Sequence, residues 1–160
     1  MRAGVGHDTH RLIPTIRRSE IQVGGVSIPC FYSVESHSDG DVLLHALTDA
    51  CLGALALGDI GQWFPDSDPT NANRKSTDFL DAAVMKIKGL GWRIENADCT
   101  VHLEEPKLAP HIDGIRQKIA QLLQVELHCV SVKAKTAEGL GPIGEKKALA
   151  ADTIVLLGRA

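Results

Sequence analysis

Asp8 and His10 stand two residues apart. In a strand that spacing puts both side chains on one face, so a carboxylate and an imidazole lie side by side as two ligands of one metal. Taken alone, Asp-x-His reads as a polar strand end facing water rather than a metal site. His45 lies four residues after Asp41 and four before Asp49, so on a helix the three share one stripe among aliphatic neighbours. Alone, that stripe reads as an i,i+4 network at the surface. Joined, Asp8, His10 and His45 offer two imidazoles and one carboxylate with a fourth position open, which is the pattern of catalytic rather than structural zinc. Asp49 then reads as a group behind the metal ligands or a hydroxyl binder.

Two further segments carry polar groups at element ends. In His37-Ser38-Asp39-Gly40-Asp41, Ser38 and Asp41 have the spacing of a capping box with Asp in place of Glu or Gln. The helix N-terminus that follows offers free N–H groups and a positive dipole end, so a phosphate fits there with His37 and Ser38 as added donors. Lys133-Ala134-Lys135-Thr136-Ala137-Glu138-Gly139-Leu140-Gly141 gathers cations, a hydroxyl, a carboxylate and glycines, partners for phosphate and for a hard cation. By itself it reads as well as a solvated turn.

These residues need elements to hold them. A short strand is predicted over 2–10, ending at a Leu-Ile-Pro break, and two short strands flank Gly24-Gly25. Val42, Leu44, Ala46, Leu47, Ala50, Cys51, Ala54 and Leu55 keep the helical period over 41–57, up to Gly58. Residues 58–75, with Gly58, Gly61, Pro65 and Pro69, are too broken for regular structure and long enough to be functional. A helix over 76–88, a strand over 92–103, a helix over 112–123 and strands over 130–134 and 148–157 complete the pattern. Alternating strands and helices imply an α+β fold, one domain over residues 1–160 with a mixed sheet covered by helices.

Composition sets the outer limits. The chain of 160 residues is 44% hydrophobic and 23% charged, a globular balance. Its formal net charge of -3 lacks the basic excess of a nucleic-acid or anionic-membrane binder, and its few aromatics (two Trp, one Tyr, three Phe) give no stacking platform. No apolar stretch approaches the roughly 20 residues of a membrane span. The N-terminus reaches Asp8 without an apolar secretory core, so a cytoplasmic location is expected. Cys30, Cys51, Cys99 and Cys129 form no CxxC pair and read as buried thiols.

Together the segments resemble the 2-C-methyl-D-erythritol 2,4-cyclodiphosphate synthase family over nearly the whole chain. The matching motifs are Gly6-His7-Asp8-Thr9-His10, then His37-Ser38-Asp39-Gly40-Asp41 running into His45-Ala46-Leu47-Thr48-Asp49-Ala50, then Gly58-Asp59-Ile60-Gly61 and Phe64-Pro65-Asp66-Ser67-Asp68. Pro106-Lys107 with Pro110-His111, and the run from Lys133 to Gly141, complete the order.

The resemblance implies a homotrimer with active sites between subunits. It implies closure of 4-diphosphocytidyl-2-C-methyl-D-erythritol 2-phosphate to the cyclic diphosphate with loss of CMP. Asp8, His10 and His45 would bind zinc, and Glu138 a magnesium or manganese ion bridging the diphosphate. His37 and Thr136 match positions that stabilise the transition state. Asp8, Thr9, His10, Ser38, Lys135, Thr136, Ala137 and Glu138 match substrate contacts. Asp59, Ile60 and Gly61, with Phe64, Pro65, Asp66, Ser67 and Asp68, match the loops on the methylerythritol part. Leu103, Glu104, Glu105, Pro106, Lys107, Leu108 and Ala109 match the cytidine pocket, much of it backbone.

Two departures stand out. Lys135-Thr136-Ala137-Glu138 replaces the common Thr-Thr-Thr-Glu, keeping the hydroxyl and the carboxylate. Pro142-Ile143-Gly144-Glu145 replaces Phe-Thr-Gly-Arg, losing an aromatic and an arginine, so no axial anion or isoprenoid site and no phosphate contact is transferred there. Two other classes are a zinc phosphohydrolase on the same three ligands, which would place solvent oxygen in its product, and a non-catalytic trimer that binds CDP-type ligands.

Overall fold

The computed structural model describes residues 1–65, 67–71 and 74–160. Five strands form one mixed sheet: β1 (Arg2–Val23), β2 (Val26–Glu35), β3 (Trp92–His102), β4 (Val130–Lys135) and β5 (Ala148–Arg159), in the order β2-β1-β5-β3-β4. All neighbours are antiparallel except β3 and β4, whose parallel pairing needs the crossover through α4 (Ile112–Leu123). The α+β expectation holds, and α4 occupies the span read from the apolar period.

β1 runs well past the Leu-Ile-Pro break at which the sequence pattern ends it. β5 accompanies β1 only to Arg11, and beyond the Leu12 N–H bond to Lys147 O that edge has no partner strand among the described residues. Pro14 therefore sits where a missing N–H costs no ladder bond, next to a register irregularity between Pro14 and Ser19. At the far end Val23 pairs with Val26 around Gly24 (φ 62°) and Gly25 (φ 76°), the two left-handed positions of a tight hairpin turn.

Helix α1 (Val42–Ala54) lies directly on β1 and β5. Gly4 and Gly6 make that seat: a Cβ on Gly4 would lie 1.9 Å from Ala50 O, and one on Gly6 1.8 Å from Ala46 O. Thr153 on β5 donates to Ala46 O at 2.9 Å, a second tie between sheet and helix. α1 ends earlier than the pattern suggests, because Leu57 N–H turns back to Leu52 O through Ala56 in the left-handed region. α3 (Ser76–Gly89) packs on α1 and also touches α4, closing an aliphatic core of Leu43, Leu47, Leu52, Leu80, Ile87, Ile115 and Ile119. Cys30, Cys51 and Cys99 are buried thiols, and burial pushes Cys51 and Cys99 up to about 12; Cys129 is only half-buried.

The described residues of 58–75 hold more regular structure than the glycines and prolines suggest. Asp59 caps the one-turn helix α2 (Ile60–Trp63) by accepting Gln62 N–H, and Pro69–Asn71 forms a 3-10 turn. Another one-turn helix, α5 (Gly141–Gly144), occupies the segment that departs from the family pattern. Among the described residues, no helix is long and apolar enough to cross a membrane.

Candidate metal centre and its cleft

The alternation of β1 turns Gly4, Gly6, Asp8, His10 and Leu12 toward the helices and His7 and Thr9 away from them. Because the helix axis is seated on the two glycines, His45 on α1 reaches the edge where Asp8 and His10 stand. His10 Nε2 and His45 Nδ1 both lie 3.0 Å from the same Asp8 oxygen, and 3.1 Å from each other. Asp8, His10 and His45 thus form a triad able to hold a metal ion, with one ligand atom from each within 4.8 Å of the others. Ligands about 2.0–2.2 Å from a tetrahedral cation stand roughly 3.3–3.5 Å apart, close to this spacing, and two imidazoles with one carboxylate leave a fourth position open. Burial would raise the Asp8 carboxyl, but the hydrogen bonds and positive charge of the two imidazoles outweigh it and hold Asp8 well below the usual carboxylate range.

A cleft of about 270 Å³ opens beside the triad, lined by His10, His45, Glu35, Ser36, His37, Ser38, Ile60, Gly61, Phe64, Asn71 and Phe79. The fold therefore brings His37, Ser38, Ile60, Gly61 and Phe64 to the metal ligands, as the motif order implies. Phe64 packs on Phe79 at 4.6 Å, with the Arg74 guanidinium over both rings. Pro65, Ser67 and Asp68 follow on an exposed turn, whereas Asp66 lies outside the described residues.

Several expectations need correcting. Ser38 is not the cap of α1, and the capping-box reading fails. Asp41 itself is the cap, accepting from Leu43 and Leu44 N–H and also from Gly24 and Gly25 N–H on the hairpin. Asp41 is fully buried, so its carboxylate occupies the N-terminus of α1 and no phosphate can sit on those N–H groups. Burial raises the Asp41 carboxyl against the opposing pull of those N–H bonds. Asp49, one turn after His45, interacts electrostatically with Asp8 and His45, and its carboxylate accepts Ile60 N–H at 2.7 Å and so fixes the start of α2. Burial raises Asp49 as well. Lys133, read as a phosphate cation, is held 2.6 Å from Asp98 on the open sheet face.

Residues 135–138 are not among those that line the cleft. Thr136 Oγ1 donates to Glu138 at 2.6 Å, and Glu138, at φ 52°, is not part of the metal-binding group among the described residues. Ala137 N–H donates to Glu104, and Leu103 N–H to Lys135 O, so residues 103–109 and 135–138 are one surface at the ends of β3 and β4. Leu103 and Leu108 point into the core, leaving only their backbone for a ligand, while Lys107 and Ala109 are exposed. Glu105 is tied to Lys146 at 2.8 Å.

Sequence reasoning missed Ser76, Phe79, Asn71 and Glu35, which line or back the cleft. Phe79 and Ser76 looked like ordinary members of an amphipathic helix, and no spacing rule connects residue 76 to residue 45.

The chain matches the YgbB family over residues 1–158. It is 50% identical over 157 residues to the 2-C-methyl-D-erythritol 2,4-cyclodiphosphate synthase of Alcanivorax borkumensis, covering 98% of this chain and 96% of that one. It is 47% identical over 151 residues to the synthase of Treponema denticola, covering 94% and 92%. A solved structure of the Plasmodium falciparum IspF in complex with CDP superposes with a TM-score of 0.86 at 36% identity, covering 99% of this chain and 96% of that one. With motif order, fold and near-complete coverage in agreement, the chain belongs to the YgbB family, the family of the 2-C-methyl-D-erythritol 2,4-cyclodiphosphate synthases.

Proposed function

We propose that the chain closes 4-diphosphocytidyl-2-C-methyl-D-erythritol 2-phosphate into 2-C-methyl-D-erythritol 2,4-cyclodiphosphate with release of CMP, a step in isoprenoid precursor biosynthesis. The observation that carries this reading is the convergence of Asp8, His10 and His45 on one point at the wall of a cleft that also holds His37, Ser38, Ile60 and Gly61. The reaction is an intramolecular phosphoryl transfer: an oxygen of the 2-phosphate attacks the β-phosphorus and the CMP oxygen leaves. Positioning and charge neutralisation carry such reactions.

Asp8, His10 and His45 would hold zinc. Bound there, zinc supplies Lewis-acid polarisation of the diphosphate oxygens. His37 and Ser38 donate to phosphate oxygens from the cleft wall. The attacking phosphate is already ionised, so no side chain has to remove a proton from it. Asp49 holds Ile60, and Asp59 holds Gln62, so the backbone over 59–61 is a rigid edge for the methylerythritol hydroxyls. Pro65, Ser67 and Asp68 continue that edge. The surface made by residues 103–109 receives the cytidine end.

Thr136 and Glu138 belong neither to the cleft lining nor to the triad of their own chain among the described residues, and a homotrimer would account for this. Thr136 and Glu138 of the partner subunit would face the cleft, Thr136 stabilising charge in the transition state and Glu138 holding a magnesium or manganese ion on the diphosphate. The exposure of residues 135 and 138 to 141 in the single chain accords with a surface awaiting a partner.

The test is incubation with the CDP-linked substrate, zinc and magnesium in water enriched in oxygen-18, with chromatography for CMP and phosphorus NMR for the cyclic product. CMP and cyclic diphosphate free of solvent oxygen are expected. A linear phosphate carrying oxygen-18 would assign a hydrolase instead, and binding without CMP release a non-catalytic module. Mixing Glu138→Gln chains with His10→Ala chains should restore part of the activity, since some interfaces then pair two intact halves.

A further inference from the structure

His45 has two nitrogens, and the structure accounts for both. Nδ1 faces Asp8 and His10. Nε2 faces the other way, 2.8 Å from Ser76 Oγ and 3.1 Å from Ser38 Oγ. Ser76 is the first residue of α3 and is completely buried. Its hydroxyl also makes a short hydrogen bond to Asp39 Oδ1, and its backbone N–H donates to Asp39 Oδ2 at 3.1 Å. α3 has no side-chain cap from its own preceding residue, so Asp39, which comes just before α1 in sequence, supplies the acceptor at that helix start.

Donor counting settles the direction of this chain. A serine hydroxyl has one hydrogen, and an ionised carboxylate only accepts, so the Ser76 hydrogen goes to Asp39. Ser76 Oγ then presents lone pairs to His45 Nε2, and at 2.8 Å that contact is favourable only if Nε2 carries the hydrogen. With Nε2–H committed, a cation at the triad would displace the Nδ1 proton that Asp8 otherwise accepts, and the Nδ1 lone pair then faces the metal position.

We infer that Asp39 and Ser76 are positioning residues which lock His45 in its Nε2–H tautomer and so point the Nδ1 lone pair at the metal position. This rests on the reading of Asp8, His10 and His45 as a metal site, and it adds two residues that touch neither metal nor substrate. It also gives the His-Ser-Asp-Gly-Asp segment two separate jobs. Asp41 ties the start of α1 to the β1–β2 hairpin, while Asp39 ties the start of α3 to the metal-ligand imidazole. Partners of this kind, which orient a ligand through its second nitrogen, are typically worth 10- to 100-fold in metal affinity.

The experiment measures zinc affinity by competition with a chromophoric chelator on the full chain, without substrate. Ser76→Ala should weaken zinc binding about 10- to 100-fold. Asp39→Asn, a surface change that leaves the core intact, should weaken it by a smaller factor, about 3- to 10-fold, because an NH2 donor then replaces one of the two oxygens that accept from the Ser76 hydroxyl and from its N–H. In the zinc-loaded wild type, long-range proton–nitrogen NMR should place the His45 hydrogen on Nε2, and that signal should broaden or vanish in both variants. A structural role for Ser76 alone would not move it. Zinc affinity within about 2-fold of wild type in both variants, or a His45 hydrogen on Nδ1, overturns the inference. A wild type that binds no zinc overturns the metal reading beneath it, a result distinct from the first two.

Discussion

His7 and Asp8 are neighbours in sequence, yet each belongs to a different carboxylate–imidazole cluster on opposite faces of the sheet. On the helix side, His10 and His45 converge on a single oxygen of Asp8 and on each other. On the open side, Asp152 also lies between two imidazoles, but His7 takes one oxygen at 2.8 Å and His102 the other at 2.8 Å. Three adjacent strands supply the open cluster, and its imidazoles reach the carboxylate from opposite sides. In the covered cluster two ligands come from one strand and the third from a helix laid across it, so the three donor atoms face a common point. The same residue types therefore make a triad able to hold a metal ion on one face and two exposed hydrogen-bonded pairs on the other. Approach direction decides, not composition.

The largest contrast should appear on removing one carboxylate from each cluster. Asp8→Asn is expected to abolish stoichiometric zinc and to cut turnover by about 1000-fold, the loss of several kcal/mol of charge stabilisation. Asp152→Asn should retain zinc and most turnover. Elemental analysis and CMP release check both, and equal losses would erase the distinction.

Gly6→Ala tests how the covered cluster is built, because its Cβ would strike the backbone of α1 at Ala46. We expect destabilisation on the order of 3 kcal/mol and weakened zinc retention, measured by denaturant titration and chelator competition. A shift of α1 would disturb His45 against Asp8, whereas His7, Asp152 and His102 all lie on strands. Unchanged stability would mean that α1 is not seated on β1 as described.

A smaller effect is expected at His37. His37→Ala should keep zinc while slowing the chemical step roughly 10- to 100-fold, a loss of about 1–3 kcal/mol. Single-turnover kinetics measures this, and a wild-type rate would remove His37 from the phosphate-binding wall.

The smallest effect is the stability supplied by the open cluster. The hydrogen bond from His7, joined by that from His102, holds Asp152 below the usual carboxylate range. A folded pKa below the unfolded one contributes stability above the unfolded Asp value of about 3.9 and loses it as pH falls through the folded value. Both pairs are well exposed, so Asp152→Asn should cost no more than about 1 kcal/mol at pH 7, shrinking toward zero in acid. Urea titrations at pH 7 and pH 3 read the difference, and a gap that widens in acid would reverse the assignment.

Much of this was legible in the residues themselves. Two-residue spacing put Asp8 and His10 on one face, and apolar period marked out α1, α3 and α4, because both signals are local and follow from backbone geometry. Motif order identified the family. The long reach of β1 past Pro14 was not legible, since it depends on where β5 stops pairing. The cap of α1 was misread because Asp41 competes with Ser38 for the same role, and the hairpin glycines that favour Asp41 lie 16 and 17 residues away.

Residue types and spacing by themselves determined that a carboxylate and two imidazoles were on hand, and which strand and helix carried them. Only tertiary structure decided that they meet, because the seat of α1 on Gly4 and Gly6 sets the distance from His45 to Asp8. It alone decided which polar residues stand behind them. Asp39, Ser76 and His45 are separated by up to 37 residues, and a hydrogen-bonded chain among them exists only once α3 packs beside α1. A donor and its acceptor must lie within about 3 Å in a definite direction, and no sequence interval encodes that across packed elements.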